Sequence, residues 1–375
     1  MTTKELEFLD FFKEVPDHRI ERRKLYSVEE ILLLSFCAVI SGCSSWDDIE
    51  LYGQTKLDEL RLYLPYENGC PSDDTLRRFF RTLDSKAFED AFIKWVQSFQ
   101  LNLEAKVVAV DGKTSRRSFD GDSKPMDMVS AFASEFGVVL GQLKTHEKSN
   151  EITAIPELIK LLDLKGAIVT IDAMGCQHKI ATQIIDQGAS YIFSLKGNQS
   201  TLHDDVKTFF ETPPRSLKIE ETEQIDKAHG RFEHRKCRVC KEVGWLKEQH
   251  ENWSSISSII EIESIREVKN VTSTEKRYYI SSLNTDALTL LKSIRFHWGV
   301  ENQLHWVLDM TFEDDQSRIR KGNAPVNMAV VKKITMNLLR ALKQKPEHKR
   351  KSLKVMRKMA GWNPVFLDEI LRAKF

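Results

Sequence analysis

Apolar positions recur with a helical period over the first hundred or so residues and with a strand period after that. Glu29 to Gly42 reads as an apolar helix stopped by Gly42, and Ser44 reads as the cap of a second helix from Trp46 to Gly53. Pro71 to Arg81 carries a serine cap, two acids in the first turn, and basic residues interleaved with aromatics. Leu76, Phe79 and Phe80 would pack inward from that helix, leaving Arg77 and Arg78 either solvated or placed against DNA. From Val107 the pattern shifts to short strands: one at Val107 and those near Met128 to Ala133 and Val138 to Lys144 come first. A helix around Ile155 to Leu164, a strand ending at Asp172, a helix around Lys179 to Gln187 and the strand Tyr191 to Leu195 follow. That order predicts an α/β mixed sheet with helices on its faces, preceded by a helical N-terminal domain. Leu217 to Ser282 reads as further short strands without clear helices, including Ser255 to Ile265 and Arg277 to Ser281, and Thr285 to Leu342 returns to helices.

Two of the strand runs end in an acid: Val107-Val108-Ala109-Val110-Asp111 and Ile168-Val169-Thr170-Ile171-Asp172. A carboxylate after four apolar or small residues is expensive near a core unless something positive meets it. Two such strands suggest a shared metal site. A third acid stands out in Ser293 to Asp309, read as one helix, where His297, Glu301 and His305 recur every fourth residue and share a face. Alone, that stripe reads as a satisfied polar face over an interface; beside two strand-end aspartates it reads as part of a site.

Composition narrows the class without deciding it. The 375 residues are 41% hydrophobic and 30% charged, and 56 basic against 55 acidic residues leave a net charge of +1, so any affinity for nucleic acid must come from local clusters. One cluster is the stretch from Lys343 to Lys358, which reads as a basic tail suited to phosphates or as a solvated helix face. The longest apolar run, Ile31 to Ile40, is about half the roughly 20 residues that a membrane helix needs, and Met1 to Glu7 shows no secretory pattern. A cytoplasmic location without membrane contact is expected. The 6 cysteines do not form a disulfide framework. Cys237-Arg238-Val239-Cys240 has zinc-like spacing near His229 and His234 but lacks a second pair, and its alternation favours a strand with the sulfurs on opposite faces.

Other chemistries fit poorly. Gly112-Lys113-Thr114 looks like the end of a P-loop, but the first glycine of that pattern would be Val107. A phosphatase with a nucleophilic aspartate would want a second aspartate close by. A zinc peptidase needs H-E-x-x-H, which His297, Glu301 and His305 do not supply. Phosphodiester chemistry suits the set better, because two divalent cations about 4 Å apart stabilise the attacking and leaving oxygens and hard Mg²⁺ takes carboxylate ligands.

Five stretches in order give the chain a family likeness: Val108 to Lys113, Thr170 to Gln177, Leu195 to Gln199, His229 to Arg235, and His297 to Asn302. Over essentially its whole length it resembles the bacterial insertion-sequence DDE transposases, most closely the H-repeat-associated group. The resemblance implies an RNase H-like core interrupted by a β-strand insertion before the last catalytic helix. It implies Asp111, Asp172 and Glu301 as the catalytic triad; two-metal chemistry then assigns these acids two Mg²⁺ or Mn²⁺ ions, with Asp111 expected to bridge both and Asp172 and Glu301 each to hold one. The implied reaction is 3′-end cleavage at terminal inverted repeats followed by strand transfer into target DNA, by a homodimer in a synaptic complex. A decayed or domesticated relative that only binds DNA would keep the same residues, and a resolvase or nuclease of this fold would share the carboxylates without needing every extra region. Where related groups carry a tyrosine, arginine and lysine signature around the glutamate, this chain has Ile294, His297 and Leu308, which sets a hairpin mechanism in doubt.

The remaining motif residues are expected on DNA or as solvated charges. Lys113, Arg116 and Arg117 follow the first aspartate, Lys196, Asn198 and Gln199 end a strand on the same rim, and His229, Arg231 and Arg235 lie in the insertion. His297 and His305 would orient Glu301 or touch a phosphate, with Asn302 beside them. The expected division is a helical domain over 1–100, the first part of the core over 101–210, the insertion over 211–283, the last core helices over 284–342, and the basic tail over 343–375.

Overall fold

The strands of the core are β1 (Val107–Ser115), β2 (Met126–Ala133), β3 (Val138–Lys144), β4 (Ile168–Ile171) and β5 (Ser190–Leu195). They are followed by four long ones, β6 (Ile219–Ala228), β7 (Arg231–Cys240), β8 (Ser258–Val268) and β9 (Val271–Ser281). In the computed structural model, which describes residues 4–21, 24–119, 125–145, 151–228, 231–268 and 271–375, these form one sheet in the order β3-β2-β1-β4-β5-β9-β8-β7-β6. β1, β2 and β3 are an antiparallel meander, while β4 and β5 run parallel to β1. This is the RNase H-like order that the resemblance implied. The helices Glu151–Leu161 and His178–Asp186 make the two crossovers. Val107 to Val110 and Ile168 to Ile171 are buried throughout, as parallel strands covered on both faces must be.

The β-rich stretch extends this sheet, because β9 pairs antiparallel with β5. β9 starts at Val271 where only Arg277 to Ser281 was expected, β8 lies later than Ser255 to Ile265 at both ends, and the stretch also holds a short helix, Gly244–Gln249. Only the C-terminal part of β9 is buried; the part from Val271 to Lys276 is exposed and carries polar residues on both faces from Thr272 on, which hides the strand pattern. Cys237 and Cys240 are buried in clusters on opposite sides of the sheet, as the alternation required, and both are free thiols. The helix Ala287–His297 lies under β1 and β4 and also under β6 and β7, with Leu290, Leu291 and Ile294 in that second cluster.

The N-terminal helices Val28–Ile40, Trp46–Thr55 and Asp73–Thr82 match the expected ones, with Ser45 rather than Ser44 capping the second. Ser45 is the residue whose hydroxyl accepts from Asp48 N, and the Asp48 carboxylate answers on the Ser45 N–H. The stretch read as a basic tail is folded: Leu353–Trp362 and Pro364–Leu371 are helices with Met356, Phe366, Leu367 and Ile370 buried. Arg357 is buried there, donating to Val39 O from Nε and Nη2 and to Thr311 O, and so is not a phosphate contact. Among the described residues no helix is long and apolar enough to cross a membrane.

The long helix Ala324–Lys343 joins the helical region to the sheet. Its Asn327 donates to Phe80 O and Leu83 O, and its Asn337 closes both backbone groups of Val139 on edge strand β3, at 3.0 Å to the N–H and 2.9 Å to the carbonyl. Asn337→Ala therefore strands two buried backbone groups. We expect a loss of about 2–4 kcal/mol and a melting temperature several degrees lower by calorimetry. An unchanged melting temperature would refute this role for the side chain.

Candidate active site

Asp111 lies inside β1 and does not end it, contrary to the sequence reading. β1 pairs with β4 only as far as Val110 and Ile171, and then continues along β2 to Ser115. The two aspartates thus occupy equivalent positions, one residue past the last parallel pair. Burial first, then the negative charges of Asp172 and Glu151, push the Asp111 carboxyl up to about 7, with Glu301 adding to the effect and the Gly112 N–H opposing it. All three triad acids therefore share one electrostatic neighbourhood.

The charge there is not neutralised by a described side chain. His305 Nδ1 stands 3.7 Å from Asp111 Oδ2, but burial and the nearby Lys333 and Lys113 push this imidazole down to about 3, so it is neutral. Among the described residues no three His, Cys, Asp or Glu side chains converge tightly enough to cage a metal ion. What fits a hard divalent cation is the donor chemistry, carboxylates gathered against their own repulsion.

Asp172 is fixed by its own loop. Its Oδ1 accepts from Met174 N at 3.1 Å and Gly175 N at 3.3 Å. Gly175 is needed because a Cβ would fall 2.3 Å from Ile171 Cγ2. Asn198 and Gln199, expected on DNA, instead donate to Ala173 O and Cys176 O and hold this loop from outside. Lys196 stays exposed and lines a cavity of about 110 Å³ with Asp172, Arg277, His297 and Trp298. His297 Nδ1 meets Thr170 Oγ1 at 3.0 Å, and burial pushes the imidazole down to about 4, so it braces the helix against β4.

The segment around Glu301 is not one α-helix. A π turn spans Val300–His305 between Ala287–His297 and Trp306–Thr311, and the Trp306 N–H reaches back to Glu301 O. Widened turns of this kind concentrate at functional sites. Here it leaves Glu301 exposed, while buried Arg340 takes the carbonyl of Gln303 as well as that of Gly137. Asn302 donates to Trp298 O at 2.9 Å and is exposed beside Glu301.

Lys113 is held within the protein. Its Nζ lies 2.7 Å from Asp309, 3.4 Å from Asp315 and 3.9 Å from Asp314, and Asp314 also takes buried Lys332 at 2.7 Å. Burial lowers the Lys113 ammonium, yet Asp309, Asp314 and Asp315 outweigh it and the net shift is upward. Arg116 and Arg117 are exposed, with Arg116 only 3.5 Å from Asp315. Arg77 and Arg78 are exposed too, each paired with the acid four residues earlier. Arg235 pairs with Asp226 and Glu233 and lines a groove of about 670 Å³ that runs to Glu301 past Arg277, stacked on Trp298 at 4.9 Å. His229 lies outside the described residues, as does the Arg231 side chain. Sequence reasoning missed Glu151, Arg340 and the Asp309/Asp314/Asp315 group; the run of acids after Glu301 was the one available signal.

Because Lys113 joins β1 to the segment beyond Glu301, Lys113→Met should destabilise the fold by roughly 3–5 kcal/mol, and adding Asp309→Asn should restore part of that. If Lys113 were a phosphate contact, Lys113→Met would keep the wild-type melting temperature and lose only DNA affinity. Thermal unfolding of the single and double variants separates the two.

The family described as Transposase DDE domain matches residues 102–338, and the one described as DDE_Tnp_1-associated matches residues 9–96. The chain is 41% identical over 370 residues to YncI of Escherichia coli O157:H7, named as a candidate transposase, covering 97% of this chain and 94% of that one. It is 39% identical over 334 residues to YhhI of Escherichia coli strain K12, named as an H repeat-associated candidate transposase, covering 87% and 88%. Among solved structures, a piggyBac transposase synaptic complex with hairpin DNA aligns at TM-score 0.45 and 13% identity, over 98% of this chain and 78% of that one. With a family match running through Asp111, Asp172 and Glu301 and a relative matched almost end to end, the chain belongs to the DDE transposase family.

Proposed function

We propose that this transposase cuts DNA at the ends of an insertion sequence and joins the freed 3′ ends to target DNA, with Asp111, Asp172 and Glu301 holding two Mg²⁺ or Mn²⁺ ions. The observation that carries this reading is the register of β1 and β4, which puts Asp111 and Asp172 at the same level one residue past the last parallel pair, with the turn that bears Glu301 packed on β1; burial and the charges of Asp172, Glu151 and Glu301 push the Asp111 carboxyl up there. Bound there, divalent cations would stabilise the oxygens that attack and leave phosphorus. The chain's own part is to hold the acids in register. β1 and β4 set the aspartates side by side, and the π turn presents Glu301 from across the sheet edge.

DNA would reach this edge as a duplex end, with Lys196, Arg116 and Arg117 as exposed cations beside the carboxylates. The groove bearing Arg235 and Arg277 would take the flanking backbone. Arg77 and Arg78 would join only by exchanging their carboxylate partners for phosphates. Pairing of two transposon ends calls for a homodimer, and a cytoplasmic location suits access to the chromosome. We take residues 1–100 as a DNA-binding helical region and 211–283 as the insertion that shapes the groove.

Purified protein is mixed with DNA carrying the inverted repeats that flank its gene, with Mg²⁺, Mn²⁺ or chelator. Asp172→Asn and Glu301→Gln should each lower cleavage by roughly 10²-fold or more while retaining DNA binding, the scale expected when one stabiliser of transition-state charge is lost. Binding without cleavage by the wild type in either metal would leave a DNA-binding protein and reject the enzymatic reading.

A further inference from the structure

Gly112 follows Asp111 in the middle of β1, where glycine weakens a strand and offers nothing to pack. Its φ is not left-handed, since among the described residues the glycines with positive φ are Gly42, Gly69, Gly137, Gly166, Gly188 and Gly322. Backbone geometry therefore does not demand glycine, but space does. A Cβ on Gly112 would fall 1.9 Å from Glu151 Oε1, 2.3 Å from its Cδ and 2.9 Å from Oε2. The strand has given up a side chain at the residue beside Asp111, and a carboxylate fills the gap.

Glu151 lies at the described start of the Glu151–Leu161 helix, in the crossover from β3 to β4, and this places it against β1 at Gly112. Placing a half-buried acid there works against folding. Among the described residues no Lys, Arg or His forms an ion pair with it. A packing role would be served as well by an uncharged side chain.

We propose that Glu151 is a fourth carboxylate of the cation site, seated over Gly112 so that it and Asp111 face the same ions. This rests on the reading of Asp111, Asp172 and Glu301 as cation-holding residues, and extends it by one residue that lies outside that triad.

The test is Mn²⁺ binding by the full-length protein without DNA, read by calorimetry and by the electron paramagnetic resonance signal of free Mn²⁺. Four proteins are compared: wild type, Glu151→Gln, Gly112→Ala and Asp172→Asn, with melting in chelator as the check on folding. Glu151→Gln removes the charge at constant shape, and Gly112→Ala keeps the charge but takes its seat. Both should weaken Mn²⁺ binding by about tenfold or more, as loss of a group that holds or orients a metal ligand does. Wild-type affinity in Glu151→Gln alongside loss in Asp172→Asn overturns the role of Glu151 and leaves the triad standing. Equal Mn²⁺ binding by wild type and Asp172→Asn overturns the triad reading itself, and the fourth carboxylate with it.

Discussion

Repulsion between carboxylates held at the same edge of one sheet is the constraint on which the rest of this molecule depends. Two parallel strands of branched apolar residues run side by side and release an aspartate at the same level, so Asp111 and Asp172 have no freedom to separate. Glu301 arrives from a different part of the chain and adds to the charge on Asp111. The raised Asp111 carboxyl expresses burial first and this repulsion second, together on the order of a few kcal/mol against the ionised form. A fold keeps such a cost where function requires it.

Much of the surrounding structure resists that repulsion. Asn198 and Gln199 tie down the loop behind Asp172, and His297 braces the helix before Glu301 against Thr170. Arg340 crosses from the long helix to take the Gln303 carbonyl of the π turn. Lys113 ties β1 to Asp309, Asp314 and Asp315 just beyond that turn. Lys113 and Arg340 are buried or nearly so, which makes breaking either of them costly and keeps the acids in place. Because the sheet runs on through β9 to β6, the groove beside Glu301 is carried on the same rigid element.

The core was legible because its signals are local. Four-residue apolar runs, the strand and helix order and the cap at Ser72 depend on near neighbours in sequence, and β3 falls on Val138 to Lys144 as read. What escaped reading depends on tertiary contact. Nothing near Lys113 announces that it meets three acids some two hundred residues later, so its charge read as a phosphate contact. The basic stretch after Lys343 looked like a tail because lysines hide the buried face of Met356, Phe366 and Ile370. Four-residue spacing of His297, Glu301 and His305 suggested one helix, while the structure has a π turn there whose Gln303 carbonyl accepts from Arg340 of another helix. Glu151 could be found only through the space it occupies over Gly112.

On the proposed function, this edge carries charge that the folded chain leaves for a divalent cation to neutralise. Thermal unfolding of wild type and Asp111→Asn, each in chelator and in excess Mg²⁺ at a pH above 7, measures it directly. Wild type should melt lower than Asp111→Asn in chelator and gain more from Mg²⁺, because the amide removes the repulsion and the ligand together. If Asp111→Asn melts lower than wild type in chelator, and Mg²⁺ stabilises neither, the acids are a self-compensated structural network and the account is wrong.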